Sequence, residues 1–209
     1  MLEFCVPVHE SDTGRRASDR GDGFFRFLVT QRPVLVSGNQ RLSIPQHVCL
    51  SLAEAFQRQA RGIMTGCGSG VERSFRYALS LSDFRDSALV ACASSDRTDR
   101  AYGLFAAIVA PDNIPFRTAC IRRTLWMVKR CGMALLFPDT PVTGVWNSKS
   151  RLIYRTVLEQ IKPVFIVTAH QPEKSDFYRV LPCSLFGVVD GYWVVPHPIY
   201  KDGSLDDEW

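Results

Sequence analysis

The sequence lacks any long run of apolar residues. No stretch approaches the roughly 20 residues that a membrane-spanning helix needs, and we expect no secretory leader. The 209 residues are 46% hydrophobic and 22% charged, the composition of an ordinary globular protein. We therefore expect a cytoplasmic protein without a membrane partner, built as one domain with at most a small appendage.

Paired metal-binding motifs are also absent from the sequence. The seven cysteines are an odd number, no two have CxxC spacing, and most lie in apolar segments. A disulfide framework or a zinc ribbon is therefore not expected, and the thiols should be reduced. None of the four histidines pairs with a cysteine or a carboxylate at the spacing of metal ligands. The sequence thus predicts no metal, no cofactor and no conventional catalytic set.

Positive charge is in slight excess. The chain has 25 lysines and arginines against 21 aspartates and glutamates, a formal net charge of +4. This balance suits a phosphate-bearing ligand, but it is far below the density of basic residues in a dedicated nucleic-acid-binding protein.

Strand-like and helix-like segments alternate along most of the chain. Short apolar runs predict strands at 32–40, 62–65, 87–94, 133–139 and 162–168. Apolar residues at helical spacing predict helices at 44–60, 71–79, 116–131 and 149–160. The segment 99–110 combines helical composition with a strand-like end. This alternation predicts a Rossmann-like α/β fold, in which helices cover both faces of a doubly wound, mostly parallel sheet.

The two ends of the chain differ in composition from this core. We expect residues 1–31 to be a partly mobile lead-in, residues 32–176 to form the Rossmann-like domain, and residues 177–209 to form a C-terminal hairpin and tail. The hairpin is predicted from short strand-like runs around Asp190-Gly191, a dipeptide typical of tight turns.

A glycine-rich segment lies where a ligand site is expected. Ligands of doubly wound sheets bind beyond the carboxyl ends of the strands. At that position Gly66, Gly68, Ser69 and Gly70 precede a predicted helix. The first amides of a helix lack partners inside it and can bind phosphate. Because the glycine spacing fits neither GxGxxG nor a phosphate-binding loop with Gly-Lys-Ser/Thr, a plain strand-to-helix turn is the alternative.

Two further segments are expected at the same edge of the sheet. One is the end of the first strand, Ser37-Gly38. The other follows the apolar run 133–139, and its candidate ligand-binding residues are Pro138, Thr143, Gly144, Trp146 and Asn147. Asn147 can cap the next helix, while Trp146 can stack on a base or simply cover the edge of the sheet.

Arg123 is the predicted charge partner of a phosphate. Arg122 and Arg123 point about 100° apart around one helix, so at most one of them is expected to reach the crevice. A guanidinium binds phosphate through two parallel hydrogen bonds, although a solvated arginine is the alternative. Cys67, in the glycine-rich segment, can have a lowered pKa at a helix N-terminus or can be a small residue that fits a tight turn.

Three segments resemble the SLOG superfamily, which includes the DNA-processing protein A family and the Lonely Guy phosphoribohydrolases. GIMTGCGSGVERSFRYAL at 62–79 resembles the strand, glycine turn and helix of that superfamily, and RPVLVSGNQ at 32–40 resembles its opening strand. The segment from MALLFPDT to KPVFIV at 133–167 resembles its later signature, in which a Ser/Thr-Gly turn and a helix precede Lys-Pro-Val-Phe. The resemblance covers about residues 32 to 168 and is closest to the DNA-processing protein A branch.

The resemblance implies a sensor-like site that binds a nucleotide or a nucleotide-derived phosphate ligand without converting it. The phosphoribohydrolase motif Pro-Gly-Gly-x-Gly-Thr-x-x-Glu is missing after Phe137, so no catalytic residue is assigned. Glu72 stands where an aspartate is usual in the superfamily. Two alternatives stay open: single-stranded DNA binding, and a divergent N-glycosidase in which Glu72 or Asp139 supplies acid–base chemistry. A homodimer is implied by analogy with the superfamily.

Overall fold

The computed structural model describes residues 32–138 and 148–197. Within these ranges the chain forms eight β-strands: β1 Val34–Gly38, β2 Ile63–Gly66, β3 Ala88–Cys92, β4 Phe105–Ile108, β5 Met133–Phe137, β6 Val164–Ile166, β7 Tyr178–Leu185 and β8 Val189–Pro196. Four α-helices accompany them there: α1 Gln46–Arg58, α2 Val71–Ser80, α3 Phe116–Arg130 and α4 Ser148–Glu159. Two short 3₁₀ helices, Arg85–Ser87 and Ser95–Ala101, flank β3.

All eight strands belong to one sheet, in the order β4-β3-β2-β1-β5-β6-β8-β7. The pairs from β4 to β6 are parallel, whereas β8 is antiparallel to both β6 and β7. The chain builds the sheet outward from β1 to β4, and α3 then returns it to the other side of β1. The predicted doubly wound, mostly parallel α/β fold is thus confirmed. Its strand order reverses between β1 and β5, where such folds form their ligand crevice.

The central strands of the sheet are buried on both faces. Val34 and Phe56 belong to the apolar core under α1 and α2, whereas Leu35 and Met127 belong to the core under α3 and α4. Every residue of β1, β3 and β5 is buried. Strands that are covered on both sides have continuous apolar runs in their sequence, which explains why the pattern predicted them.

The C-terminal strands β7 and β8 form the predicted hairpin, but the predicted position of its turn is wrong. The turn lies at Phe186-Gly187, where φ is +56° and +70°. The Val188 amide closes it by donating to the Leu185 carbonyl at 3.0 Å. Two successive left-handed residues match the twist of the flanking strands, which is why hairpins use this turn.

Asp190-Gly191, the predicted turn, lies inside β8. A Cβ at Gly191 would come within 2.1 Å of the Ile166 carbonyl oxygen in β6. This glycine therefore permits the close approach of β8 to β6. Through this pairing the hairpin extends the main sheet.

Two predicted segments lie outside the described residues, namely the lead-in 1–31 and the end of the tail, 198–209. The segment 99–110 contains the end of a 3₁₀ helix followed by β4, in agreement with its mixed composition. In the described ranges, no helix is both long enough and apolar enough to cross a membrane.

Candidate functional site

The carboxyl ends of β1 and β5 meet at the point where the strand order reverses. Gly38, the last residue of β1, pairs with Phe137, the last residue of β5. A Cβ at Gly38 would lie 2.3 Å from the Phe137 carbonyl oxygen, so glycine allows the two strand ends to lie this close. Pro138 follows and is buried. β2 ends beside β1 at Gly66, the first residue of what we call the glycine loop, residues 66–70.

A single buried carboxylate lies at the centre of this edge. Glu72, in the first turn of α2, has 0% of its surface exposed. It accepts hydrogen bonds from the Ser37 hydroxyl, the Gly68 amide and the Lys149 ammonium, each at 2.9 Å. These donors belong to β1, the glycine loop and α4. Glu72 therefore connects three elements that lie far apart in the sequence.

Two of the groups predicted to bind the ligand instead donate hydrogen bonds to the Glu72 carboxylate. The Ser37 hydroxyl and the Gly68 amide both donate to Glu72. The amides of Ser69 and Gly70, by contrast, have no hydrogen-bond partner within the part of the chain that the structure describes. The loop thus has two amide donors without a partner in the described ranges.

The glycines of the loop are explained by the groups packed against them. A Cβ at Gly68 would come within 2.2 Å of Glu72 Oε2. A Cβ at Gly66 would lie 3.0 Å from the same oxygen and 3.1 Å from the guanidinium carbon of Arg123. Gly70 has a φ of +62°, and a Cβ there would collide with the backbone that follows β1. The glycine pattern therefore reflects an internal charge cluster and is not by itself a sign of phosphate binding.

Arg76 fixes the backbone of the glycine loop. It lies one helical turn after Glu72 on α2 and is buried. Its guanidinium donates to the carbonyl oxygens of Gly66, of Gly68 at 2.6 Å, and of Arg100 at 2.8 Å. Each of its three nitrogens therefore donates inside the protein, and Arg76 stabilises the loop.

Arg123 reaches the glycine loop from α3. It is 4% exposed, and its Nη1 donates to the Cys67 sulfur at 3.2 Å. Its Nε is buried and has no hydrogen-bond partner among the described residues. Arg122 is exposed on the same helix. Of the two arginines, Arg123 is thus the one that contacts the loop, and its contact with a ligand stays a prediction.

The charges around Glu72 keep it ionised. Burial raises the pKa of Glu72, but the charges of Lys149 and Arg123, with hydrogen bonds from Lys149 and Ser37, lower this pKa to about 2. At neutral pH the carboxyl group therefore carries no proton, and it is closed off from solvent. It is poorly placed for the acid–base role that the divergent-glycosidase alternative requires.

Cys67 is a buried thiol between Cys92 and Arg123. The neighbouring Cys92 thiol and the positive charge of Arg123 hold the pKa of Cys67 below its ordinary value, although burial opposes them. Cys92 and Arg123 are distant from Cys67 in the sequence, so the sequence alone did not indicate their effect on its pKa. Because Cys67 is 0% exposed, its thiol lies out of reach of solutes.

Positive charge is in excess in this cluster. Arg76, Arg123 and Lys149 are cationic, and Glu72 and Cys67 are the acidic groups that act most strongly on the two arginines among the described residues. Within those residues, three cations thus surround one carboxylate and one thiol of lowered pKa. Because uncompensated buried charge is costly, the cluster favours an anion from solution at its accessible side.

The sequence contained a signal for part of this cluster. Glu72 and Arg76 share the buried face of α2 with Phe75 and Leu79. Charged residues at buried positions indicate an internal ion cluster, since they are rarely buried without partners. Nothing in the sequence indicated the role of Lys149, because its contact with Glu72 spans 77 positions of the chain.

Four of the predicted ligand-binding residues lie outside the described residues, namely Thr143, Gly144, Trp146 and Asn147.

Two pockets lie elsewhere on the described surface. One lies where β6 ends beside the hairpin, and Thr168, Cys183 and Tyr192 are among its lining residues. The other lies between α1 and the hairpin turn, beside Glu54 and Phe186. Neither pocket includes a residue of the glycine loop. In residues 32–138 and 148–197, no group of three potential metal ligands is present.

Comparisons with known proteins do not assign a family. No protein-family model matches the sequence, and no curated protein is significantly similar to it.

Proposed function

We propose that the protein binds a nucleotide or a nucleotide-derived phosphate ligand at the carboxyl edge between β1 and β5, and that it does not convert this ligand. The observation that carries the proposal is the excess of positive charge around Glu72. An anion at the accessible side of the cluster would balance this charge, and a phosphate offers oxygen acceptors for charged donors. Doubly wound sheets bind their ligands at this position.

The glycine loop would contribute backbone donors. The amides of Ser69 and Gly70 lie just before α2, where a helix N-terminus favours an anion. Ser37 and Gly68 would act indirectly, because both donate to Glu72 and so hold the loop in place. Arg123, buried beside the loop, would act through its charge.

The other wall of the site would come from the loop after β5. Its predicted members are Pro138, Thr143, Gly144, Trp146 and Asn147. Stacking of Trp146 on a base would add on the order of 1–3 kcal/mol, and it would make nucleotides better ligands than inorganic phosphate. We propose membership of the SLOG superfamily, in the DNA-processing protein A branch, on the same segments.

Thermal unfolding in the presence of nucleotides tests nucleotide binding. A ligand at about 100-fold above its dissociation constant should stabilise the native state by roughly 2.7 kcal/mol. We expect this stabilisation from at least one nucleoside mono-, di- or triphosphate, and a smaller one from the matching nucleoside. The proposal is rejected if no nucleotide of the panel stabilises the protein and equilibrium dialysis shows that the protein retains none of them.

A short single-stranded oligonucleotide in the same panel tests the DNA-binding alternative. Binding that uses several phosphates weakens steeply as salt rises, whereas one nucleotide phosphate in a partly enclosed site should depend on salt only weakly. Steeply salt-dependent oligonucleotide binding without nucleotide binding would favour the DNA-binding alternative. The nucleotide should be recovered unchanged after long incubation, and release of free base would contradict a non-catalytic site.

A further inference from the structure

Lys149 is the most accessible cation of the charge cluster. It is the second residue of α4, and 15% of its side chain is exposed. Its Nζ donates to Glu72 Oε1 at 2.9 Å. An ammonium has three donors, and the described ranges contain no other hydrogen-bond partner for this one. Lys149 can therefore donate to a group in the crevice while it keeps its bond to Glu72.

The surroundings of Lys149 are already positive. Lys149 lies in the first turn of α4, where the helix dipole adds positive potential, and that turn contains no acidic residue. Arg123 shares Glu72 as a counter-ion, and its buried Nε has no partner in the described part of the chain. Glu72 thus acts on both Lys149 and Arg123, close to the first turn of α4. A second anion on the solvent side would stabilise this arrangement.

The glycine loop is a close neighbour of the Lys149 ammonium. A Cβ at Gly68 would lie 4.0 Å from Lys149 Nζ, which is the distance of an ordinary van der Waals contact. Ser69, the next residue of the loop, is exposed. An anion that contacts Lys149 therefore lies close to the free loop amides as well.

We propose that Lys149 binds the phosphate group of the ligand and makes the site selective for nucleoside phosphates over nucleosides. Glu72 is the positioning residue, because its hydrogen bond holds the ammonium at the crevice. This inference rests on the proposed nucleotide binding, and it names a phosphate-binding residue on α4.

Binding of nucleoside monophosphates to Lys149→Met and to the native protein tests this role. The probes are AMP, GMP, CMP and UMP, with the matching nucleosides and inorganic phosphate beside them. Loss of a hydrogen bond to a charged group predicts about 10- to 100-fold weaker binding of the monophosphate, while nucleoside binding stays unchanged. Lys174→Met is the control, because it removes one positive charge from an exposed position and should leave all affinities as they are.

A double variant separates direct contact from a structural role. In Glu72→Gln with Lys149→Met both partners lose their charge, so no buried carboxylate is left without its lysine. Recovery of the native monophosphate affinity in this double variant would show that the phosphate does not need the Lys149 ammonium. We expect it to bind as weakly as Lys149→Met, and recovery would overturn the proposal. Lys149→Arg, which keeps the charge, should retain part of the affinity.

The remaining outcomes separate the two proposals. Native monophosphate affinity in Lys149→Met would overturn the role of Lys149 and leave nucleotide binding intact. Absence of binding of every nucleotide and of inorganic phosphate to the native protein would overturn both.

Discussion

The glycine loop and the hairpin turn both depend on glycine, but for different physical reasons. A Cβ at Gly68 would lie 2.2 Å from the Glu72 carboxylate, whereas a Cβ at Gly187 would meet no atom within 4 Å. Gly187 is required by its backbone, which has a φ of +70°. Gly68 has no positive φ and is required by the charged group beside it. A glycine-rich segment can thus arise from an internal ion cluster as well as from a turn.

Gly68→Ala should have the largest effect on stability. The new methyl group would collide with Glu72. The backbone cannot easily move away, because the Gly68 amide donates to Glu72 and the Gly68 carbonyl accepts from Arg76. We expect the free energy of unfolding to fall by about 3–5 kcal/mol, as when a buried ion pair is broken. Urea denaturation measures it. A loss no larger than that of Gly187→Ala would contradict this explanation of the loop.

Glu72→Gln should have the next largest effect, and its effect should depend on pH. The pKa of Glu72 in the folded protein, about 2, lies below its ordinary value of 4.5. Ionised Glu72 therefore stabilises the native state fully above pH 4.5, and this contribution is lost as the pH falls from 4.5 towards 2. The shift corresponds to about 3 kcal/mol at neutral pH.

Urea denaturation of both proteins from about pH 7 to about pH 2 measures this contribution. The native protein should be more stable than Glu72→Gln at neutral pH, and the difference should shrink through the acid range. Two curves that stay parallel from neutral to acid pH would show that Glu72 is not held ionised by its neighbours.

Gly187→Ala should have the smallest effect. An alanine in the left-handed conformation lowers the free energy of unfolding by about 1–2 kcal/mol. The new Cβ would meet no atom within 4 Å, so no collision adds to this loss. Thermal unfolding should show a fall of a few degrees in Tm. A fall as large as that of Gly68→Ala would remove the distinction between the two turns.

Most of the fold could be predicted because burial on both faces leaves a clear pattern in β1, β3 and β5. The hairpin turn could not be predicted in this way. Asp190-Gly191 has the local preference for a turn, but Gly191 is required where β8 passes β6, a contact between distant parts of the chain. Phe186 is an unusual residue at a φ of +56°. Its ring packs edge-on against Phe56, with 5.1 Å between the ring centroids, and this contact is tertiary.

The candidate site could be predicted as a location but not as a set of contacts. The rule that ligands bind at the carboxyl ends of parallel strands selected Ser37, Gly68 and Arg123, which the fold brings together. That rule could not show that Ser37 and Gly68 donate to Glu72. The burial of this carboxylate depends on the packing of α2 against the strand ends, and Lys149 reaches it from a helix 77 positions later.

The position of a bound phosphate tests the central claim most directly. A crystal structure of the native protein grown with a nucleoside monophosphate that binds in solution, and a second one grown with tungstate as a phosphate analogue, would locate the anion. We predict that it lies within hydrogen-bond distance of Lys149 Nζ, on the solvent side of Glu72 and next to the glycine loop. An anion bound only elsewhere, for example in the pocket beside Thr168 and Cys183, would contradict the claim.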